Sequence, residues 1–289
     1  MTRKKITIIA LSALLAAALI AGVFAAFHFL GGPKNPYGKT YTYDEAMAIY
    51  DSGDKIEGLA ALRTVRGKKA ADKRKEIYLS MFSEEFYEKV HDAKVGDFIV
   101  FGKIEQDDND ANGTEEITWR VLDKDKDGRL LLISEQALEC VQYHKKSIDI
   151  TWEESFVRQW LNDPFMKEIF TEDEQSVIPY TYVENKDNAL YGTEAGNDTY
   201  DRLFLLSIDE AKEYFKSDRD RMTSATDKAR LHYAYSDPFG NTAWWLRSPS
   251  FKSNKAAIVA DTGAVYEGAF HKVTERYMSI RPAFWLDLA

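Results

Sequence analysis

Residues 117–134 read ITWRVLDKDKDGRLLLIS. Two runs rich in β-branched, aromatic and aliphatic residues, 117–122 and 130–134, flank the polar segment 123–128. An Asp-Gly step between such runs predicts an antiparallel hairpin. Upstream, Val95-Gly96-Asp97-Phe98-Ile99-Val100-Phe101-Gly102 predicts another strand, set off from the hairpin by the polar loop 106–113. Downstream the period becomes helical. Thr151-Trp152-Glu153-Glu154 has the capping-box pattern, and Trp152, Phe156, Trp160 and Leu161 fall on one helical face. The box recurs at Thr171–Glu174, and again at Ser207–Glu210 after a predicted strand at 203–206. Strand patterns return at 243–247, 256–260, 264–270 and 279–288, with Asp261-Thr262-Gly263 as a turn. Strands and helices are grouped rather than alternating, which predicts the α+β class.

The chain has 289 residues, 45% of them hydrophobic, a composition that suits a folded protein and excludes wholesale disorder. A lone cysteine, Cys140, excludes an intrachain disulfide framework and a cysteine-rich zinc site. The net charge of −9 argues against a nucleic-acid partner, which needs a basic face.

Outside the strand-rich region lie an apolar N-terminus and a helical segment. Ile6–Leu30 carries no charged residue and follows Arg3, Lys4 and Lys5. A helix of roughly 20 residues spans the hydrocarbon core. The expectation is a transmembrane signal anchor over residues 1–31, touching the lipid bilayer through residues 6–30. By the positive-inside rule the chain is then a single-pass protein of the cell membrane, its C-terminal domain extracellular. A cleaved signal peptide, ending at Val23-Phe24-Ala25, is the alternative. Residues 32–41 read as a linker. Residues 42–89 predict helices opened by the capping box Thr42-Tyr43-Asp44-Glu45, with Gly67 ending the second and a charged third running from Lys68 to Met81. Through Tyr43, Ala46, Gly53, Leu59 and Ala60 this segment resembles a single tetratricopeptide-like hairpin. It reads as a stalk or as a peptide-docking module, ahead of an α+β domain over 90–289.

The segments GDFIVFGKIEQ, ITWRVLD, LLLIS, TWEESFVRQWLND, GNDTYDRLFLLSIDEA, WWLRSP and IRPAFWL, in that order, resemble the DUF6273 family, a bacterial domain family of unknown function. The resemblance spans Val95–Leu288. The WWLRSP and IRPAFWL strands also resemble the close of C-type-lectin-like and formylglycine-generating-enzyme domains. That likeness implies a C-type-lectin-like mixed sheet with flanking helices. The oxidase chemistry of the latter needs paired cysteines, which a chain with Cys140 alone lacks.

Two sets of residues invite a ligand. Asp123, Asp125 and Asp127 ahead of Gly128 match the first half of a calcium loop, so calcium is the cofactor they would take. The twelfth loop position is Ser134, not glutamate, and the flanks are strands, so the same acids also read as a hairpin tip. The second set is Trp245, Arg247, Arg281 and Trp285. Strand alternation puts Trp245 with Arg247, and Arg281 with Trp285, each pair opposite an apolar face. A buried guanidinium needs a partner. Either the arginines pair with acids such as Asp198 or Asp209, or these residues line an open groove. His91, His144, His232 and His271 are scattered, and no catalytic constellation emerges. The expectation is therefore a binding module of a bacterial cell surface that recognises a glycan or a surface protein. A cell-envelope enzyme acting on glycans is the alternative.

Overall fold

The computed structural model describes residues 38–109 and 111–289. The predicted anchor over 1–31, with its bilayer contact through 6–30, lies outside the described residues. Among the described residues no helix is long and apolar enough to cross a membrane. The longest, Lys68–Met81, has 14 residues. That is about 21 Å of rise against roughly 30 Å of hydrocarbon, and the helix is charged from Asp72 to Glu76. The fold class with a transmembrane helix and signal anchor, and the location as a single-pass membrane protein with an extracellular C-terminal domain, are corrected on this finding. The described chain is mixed α+β with several sheets.

The chain enters through α1 (Tyr43–Asp51), α2 (Lys55–Thr64), α3 (Lys68–Met81) and α4 (Glu84–Asp92). The capping box at Thr42 forms as predicted: its hydroxyl accepts from Glu45 N at 3.3 Å, and Thr42 N donates to the Glu45 carboxylate at 2.8 Å. The segment shares one buried core with the strands that follow, through Leu59, Leu62, Ile77 and Tyr78. Polar ties accompany it: Lys55 pairs with Asp173 at 2.7 Å and Arg63 with Asp287 at 2.9 Å.

Next come β1 (Phe98–Ile104), β2 (Glu115–Lys124), β3 (Leu130–Ser134) and β4 (Glu139–Cys140). The predicted hairpin is β2–β3, and Gly128 takes φ +90° at its tip. Helix α5 (Phe156–Trp160) runs into a π-helical turn at Leu161–Phe165 and then α6 (Met166–Ile169) and α7 (Glu172–Ser176). The capping-box pattern at Thr151 is not used; Ser155 caps α5 instead, its hydroxyl accepting from Arg158 N. Strands β5 (Thr181–Val183) and β6 (Thr199–Asp201) form a small separate sheet. Then follow α8 (Ile208–Glu213), α9 (Asp218–Arg221) and α10 (Asp227–Leu231). The chain ends with β7 (Trp244–Pro249), β8 (Ala256–Val259), β9 (Val265–Tyr266), β10 (Ser279–Ile280) and β11 (Ala283–Leu286).

The larger sheets are an antiparallel four-stranded β1-β2-β3-β11 and a five-stranded β4-β10-β7-β8-β9, in which only β10 and β7 run parallel. This division replaces the expected single lectin-like mixed sheet. It also splits the predicted strand 279–288. Pro282 has no N–H for a ladder, and there the chain leaves one sheet and joins the other. Ser134 N closes the junction by donating to the Pro282 carbonyl at 3.0 Å.

Candidate functional site

The residues singled out in the sequence lie mostly in the interior. Trp245 is fully buried in β7, where its indole N–H donates to the Val141 carbonyl at 3.1 Å and its ring meets Tyr143 edge-on. Arg247, on the same strand, is 3% exposed. Its guanidinium forks onto the Glu210 carboxylate and donates to the carbonyls of Leu205 (2.9 Å) and Glu184 (2.9 Å) and to Asn185 Oδ1 (3.2 Å). The partner acid is thus Glu210, not Asp198 or Asp209. Glu210 is also the third residue of the Ser207 capping box, so one carboxylate fixes both the start of α8 and the strand.

Arg281 sits at the junction between the sheets with no exposed surface. Burial drives its pKa down to about 9, while Glu135 opposes the shift. Its Nε donates to the Ser134 carbonyl at 2.7 Å, Nη2 lies 3.6 Å from Glu135, and the rings of Phe215 and Trp244 flank it. Trp285 is half-buried, with Arg129 over its ring at 5.3 Å. Arg281 joins the two sheets, Arg247 ties β7 to α8 and to segment 184–185, and the buried Trp245, Arg247 and Arg281 do not line an open groove.

The hairpin acids serve the turn. Asp125 accepts from the backbone N–H groups of Asp127 and Arg129, each at 3.0 Å, and from Arg129 Nε at 2.7 Å. Burial opposes its ionisation, but the Arg129 guanidinium and these N–H groups hold its carboxyl below the ordinary range. Asp123 accepts from Lys124 N, and Asp127 is exposed. Among the described residues the acids close enough to share a cation are instead Glu105, Asp107 and Glu115, within 4.8 Å of one another. Their oxygens accept N–H groups of their own loop: Gln106 N on Glu115, Asp107 N on Glu105 and Asn112 Nδ2 on Asp107. Asn162, in the tryptophan-containing motif after α5, is likewise structural. Its amide donates to the carbonyls of Arg158 and Leu203 and accepts from Arg202 N and Leu203 N. Cys140 donates its thiol proton to the Arg276 carbonyl, and burial, aided by Glu139, pushes the thiol up to about 12, which makes it inert.

The surface feature the sequence reading missed is aromatic. Loops 141–150, 249–255 and 267–277 meet at one end of the five-stranded sheet. Backbone bonds stitch them: His144 N to Val273 O (2.8 Å), Ile150 N to Ser253 O (3.0 Å) and Val273 N to Asn254 O (3.2 Å). Segment 188–193 joins through Asn188, whose amide donates to the carbonyls of Pro249 (2.9 Å) and Glu267 (3.0 Å). On this scaffold Tyr191, Phe251 and Phe270 form a row, with centroids 6.0 Å and 5.1 Å apart. Phe270 is 80% exposed and Tyr191 50%, while Phe251 between them is half-buried. Beyond Phe270, His271 Nδ1 and the Tyr277 hydroxyl are 3.2 Å apart. Burial lowers the His271 pKa, with Lys255 adding to the effect and Glu275 opposing it. A usable signal was present in the sequence for Phe251 alone, which stands in the turn-forming, polar run Ser-Phe-Lys-Ser-Asn outside every predicted strand.

Fold and surface together describe an α+β protein with a buried ionic brace between its sheets and an aromatic face at one sheet end. Residues 127–288, more than half of the chain, match the family described as a domain of unknown function (DUF6273), and the chain belongs to that family. No curated protein matches the chain. No solved structure matches it either.

Proposed function

We propose that the chain is a binding module that recognises a glycan through the Tyr191–Phe251–Phe270 face. The observation that carries this reading is the aromatic row on stitched loops, its two outer rings, Tyr191 and Phe270, exposed on either side of a half-buried Phe251. Aromatic faces give large contact area at low entropic cost and pack on the apolar faces of sugar rings. Exposure of Phe270 at 80% contributes nothing to the core, which is what a residue kept for a ligand looks like. The polar groups that would fix orientation are adjacent: the Tyr191 and Tyr277 hydroxyls and the His271 imidazole. A second reading, recognition of a protein surface, draws on the loop after α10, where Phe239 is 89% exposed and Tyr233 holds φ +79° in the open.

A glycan array probed with the full chain and with Phe270→Ala tests the proposal. The expected result is a defined set of bound glycans, lost in the variant, with stability changed by no more than about 0.5 kcal/mol. An empty array, or binding untouched by Phe270→Ala, would overturn it.

A further inference from the structure

Charge is distributed unevenly over the molecule. The chain as a whole is acidic, at −9. Around the aromatic row the sign reverses. Lys252 and Lys255 lie over the Phe251 ring at 5.8 Å and 5.5 Å. Lys255 also donates to the Phe270 carbonyl, and it faces Lys272 across a backbone bridge. On the adjoining loop Lys145 sits over Phe156 at 3.8 Å, next to Lys146. Burial, with the nearby charge of Arg276 adding to it, lowers the Lys145 pKa. The ion pairs of the described residues, such as Lys212–Glu267 and Lys186–Glu184, do not include these cations. Elsewhere cations commonly have one, as in Lys55–Asp173, Arg120–Glu135, Arg158–Asp201 and Arg230–Asp227. Acids border this face rather than fill it: Asp187 and Glu194 flank segment 188–193, and Glu154 acts on His144 beside Lys146. Glu267 is taken by Lys212, and Glu275 and Asp149 remain.

Like charges gathered on one face repel, and backbone bonds between the loops help to keep them together. A bound anion relieves that repulsion. We infer that the face takes an anionic glycan, its sugar rings against Phe270, Phe251 and Tyr191 and its carboxylate, sulfate or phosphate groups against Lys252, Lys255, Lys272 and Arg276. This rests on the glycan-binding reading and adds the charge of the ligand to it.

Geometry favours a glycan over the other polyanions. The rings of Tyr191 and Phe251 are inclined at 59°, and those of Phe251 and Phe270 at 60°. That is a corrugated trough, not the set of parallel faces on which successive bases stack. A chain of saturated rings, each turned relative to the last, fits such a surface.

The test uses the full chain, wild type and the triple variant Lys252→Gln/Lys272→Gln/Arg276→Gln, whose side chains are exposed. The probes are uronate-, sulfate- and phosphate-bearing glycans and their neutral parent glycans, with phosphatidylserine vesicles and a single-stranded oligonucleotide alongside. The expected result is binding of acidic glycans at least tenfold tighter than of their neutral parents. The triple variant and 0.5 M salt should each erase that tenfold, with the melting temperature unchanged. Neutral parents bound as tightly as acidic ones, with the triple variant unaffected, would overturn the charge inference and leave the glycan reading standing. No binding to any glycan would overturn both. Vesicles or the oligonucleotide bound as tightly as the best acidic glycan would reduce the face to charge attraction and overturn the inference.

Discussion

Removing the buried guanidinium of Arg247 should destabilise the protein strongly, because it anchors β7 to α8 and to segment 184–185. In Arg247→Ala the Glu210 carboxylate loses its forked partner, and the carbonyls of Leu205 and Glu184 and the Asn185 amide oxygen lose their donors. Breaking a buried pair by deleting one member costs roughly 3–5 kcal/mol. The side chain of Glu210 is 26% exposed, so water reaches it once the arginine is gone, which favours the lower end of that range. At about 2–4 °C per kcal/mol for a chain of this size, the melting temperature should fall by roughly 10 °C. Urea unfolding of wild type, Arg247→Ala, Glu210→Gln and the double variant gives the coupling directly, expected between about 0.5 and 3 kcal/mol. Trp245→Ala belongs in the same series. Its buried indole predicts a loss of about 3–5 kcal/mol, whereas a tryptophan lining an open groove would cost about 1 kcal/mol or less. Losses below about 1 kcal/mol for both Arg247→Ala and Trp245→Ala would refute the interior placement of this strand.

The Asp125 carboxyl has a lowered folded pKa, so its contribution is present above the ordinary aspartate value near 3.9 and is lost as pH falls through the folded value. The melting-temperature gap between wild type and Asp125→Asn should therefore be widest at neutral pH and close in acid, and calcium should move neither curve. Because burial pushes the Cys140 thiol up to about 12, iodoacetamide at pH 8 should label it far more slowly in the folded chain than in urea; equal rates would contradict the thiol's placement. Gly263 takes φ +81°, and a Cβ there would come 1.7 Å from the Asp218 carbonyl oxygen, so Gly263→Ala should unfold the β8–β9 turn region and lower stability by more than about 3 kcal/mol in urea titration. A chain started at Asp127 would strip β2 from β3, a strand buried along its whole length, and should show no cooperative thermal transition; a sharp transition would mean that β3 and β11 close the sheet without it.

Local signals were legible in the sequence and long-range choices were not. The capping boxes at Thr42, Thr171 and Ser207 form because their hydrogen bonds close within four residues. The same pattern at Thr151 is overridden by tertiary contacts: Trp152 is drawn into the core, its indole donating to Asp201 at 2.9 Å, and the chain turns before Ser155 opens the helix. The segment 203–206 reads as a strand, yet it is extended chain with a single bridge from Phe204 to Ala283. Its buried backbone is satisfied from elsewhere, by Asn162 and Arg247. Alternation puts Arg247 on the face of Trp245 but leaves open whether it meets an acid, such as Asp198 or Asp209, or an open groove. Glu210 is 37 residues away, and only the packing of α8 on β7 brings it there. The aromatic face was hidden for a related reason. Residues 264–270 read as one strand, but β9 covers only Val265–Tyr266, and the remainder opens into a loop that presents Phe270 to solvent. Trp245 and Trp285 are the tryptophans that read as ligand-binding in the sequence, yet Trp245 is fully buried and Trp285 half-buried under Arg129. Large rings on regular strands are spent on packing, whereas smaller rings on turn-rich loops have nothing to pack against.

The extent of the family match bears on which part of the molecule carries function. It begins at Asp127, inside the β2–β3 turn, so β1, β2 and helices α1–α4 fall outside it. Those elements complete the four-stranded sheet and cover its core: β1 and β2 extend the ladder from β3, and Arg63 and Arg74 reach Asp287 and the Ala289 carbonyl at the chain's end. Their role is to close an edge and a face that the matched part would leave open. Every residue of the aromatic row, and every cation around it from Lys145 to Arg276, lies within the matched span. So does the Arg247–Glu210 brace that holds segment 184–185, just ahead of Tyr191, against β7. Support is thus supplied partly from outside the matched span, while the aromatic face is built entirely inside it. The proposed glycan face would then be built by the loops 188–193, 249–255 and 267–277, all inside the matched span, on a core that β1, β2 and α1–α4 complete from outside it.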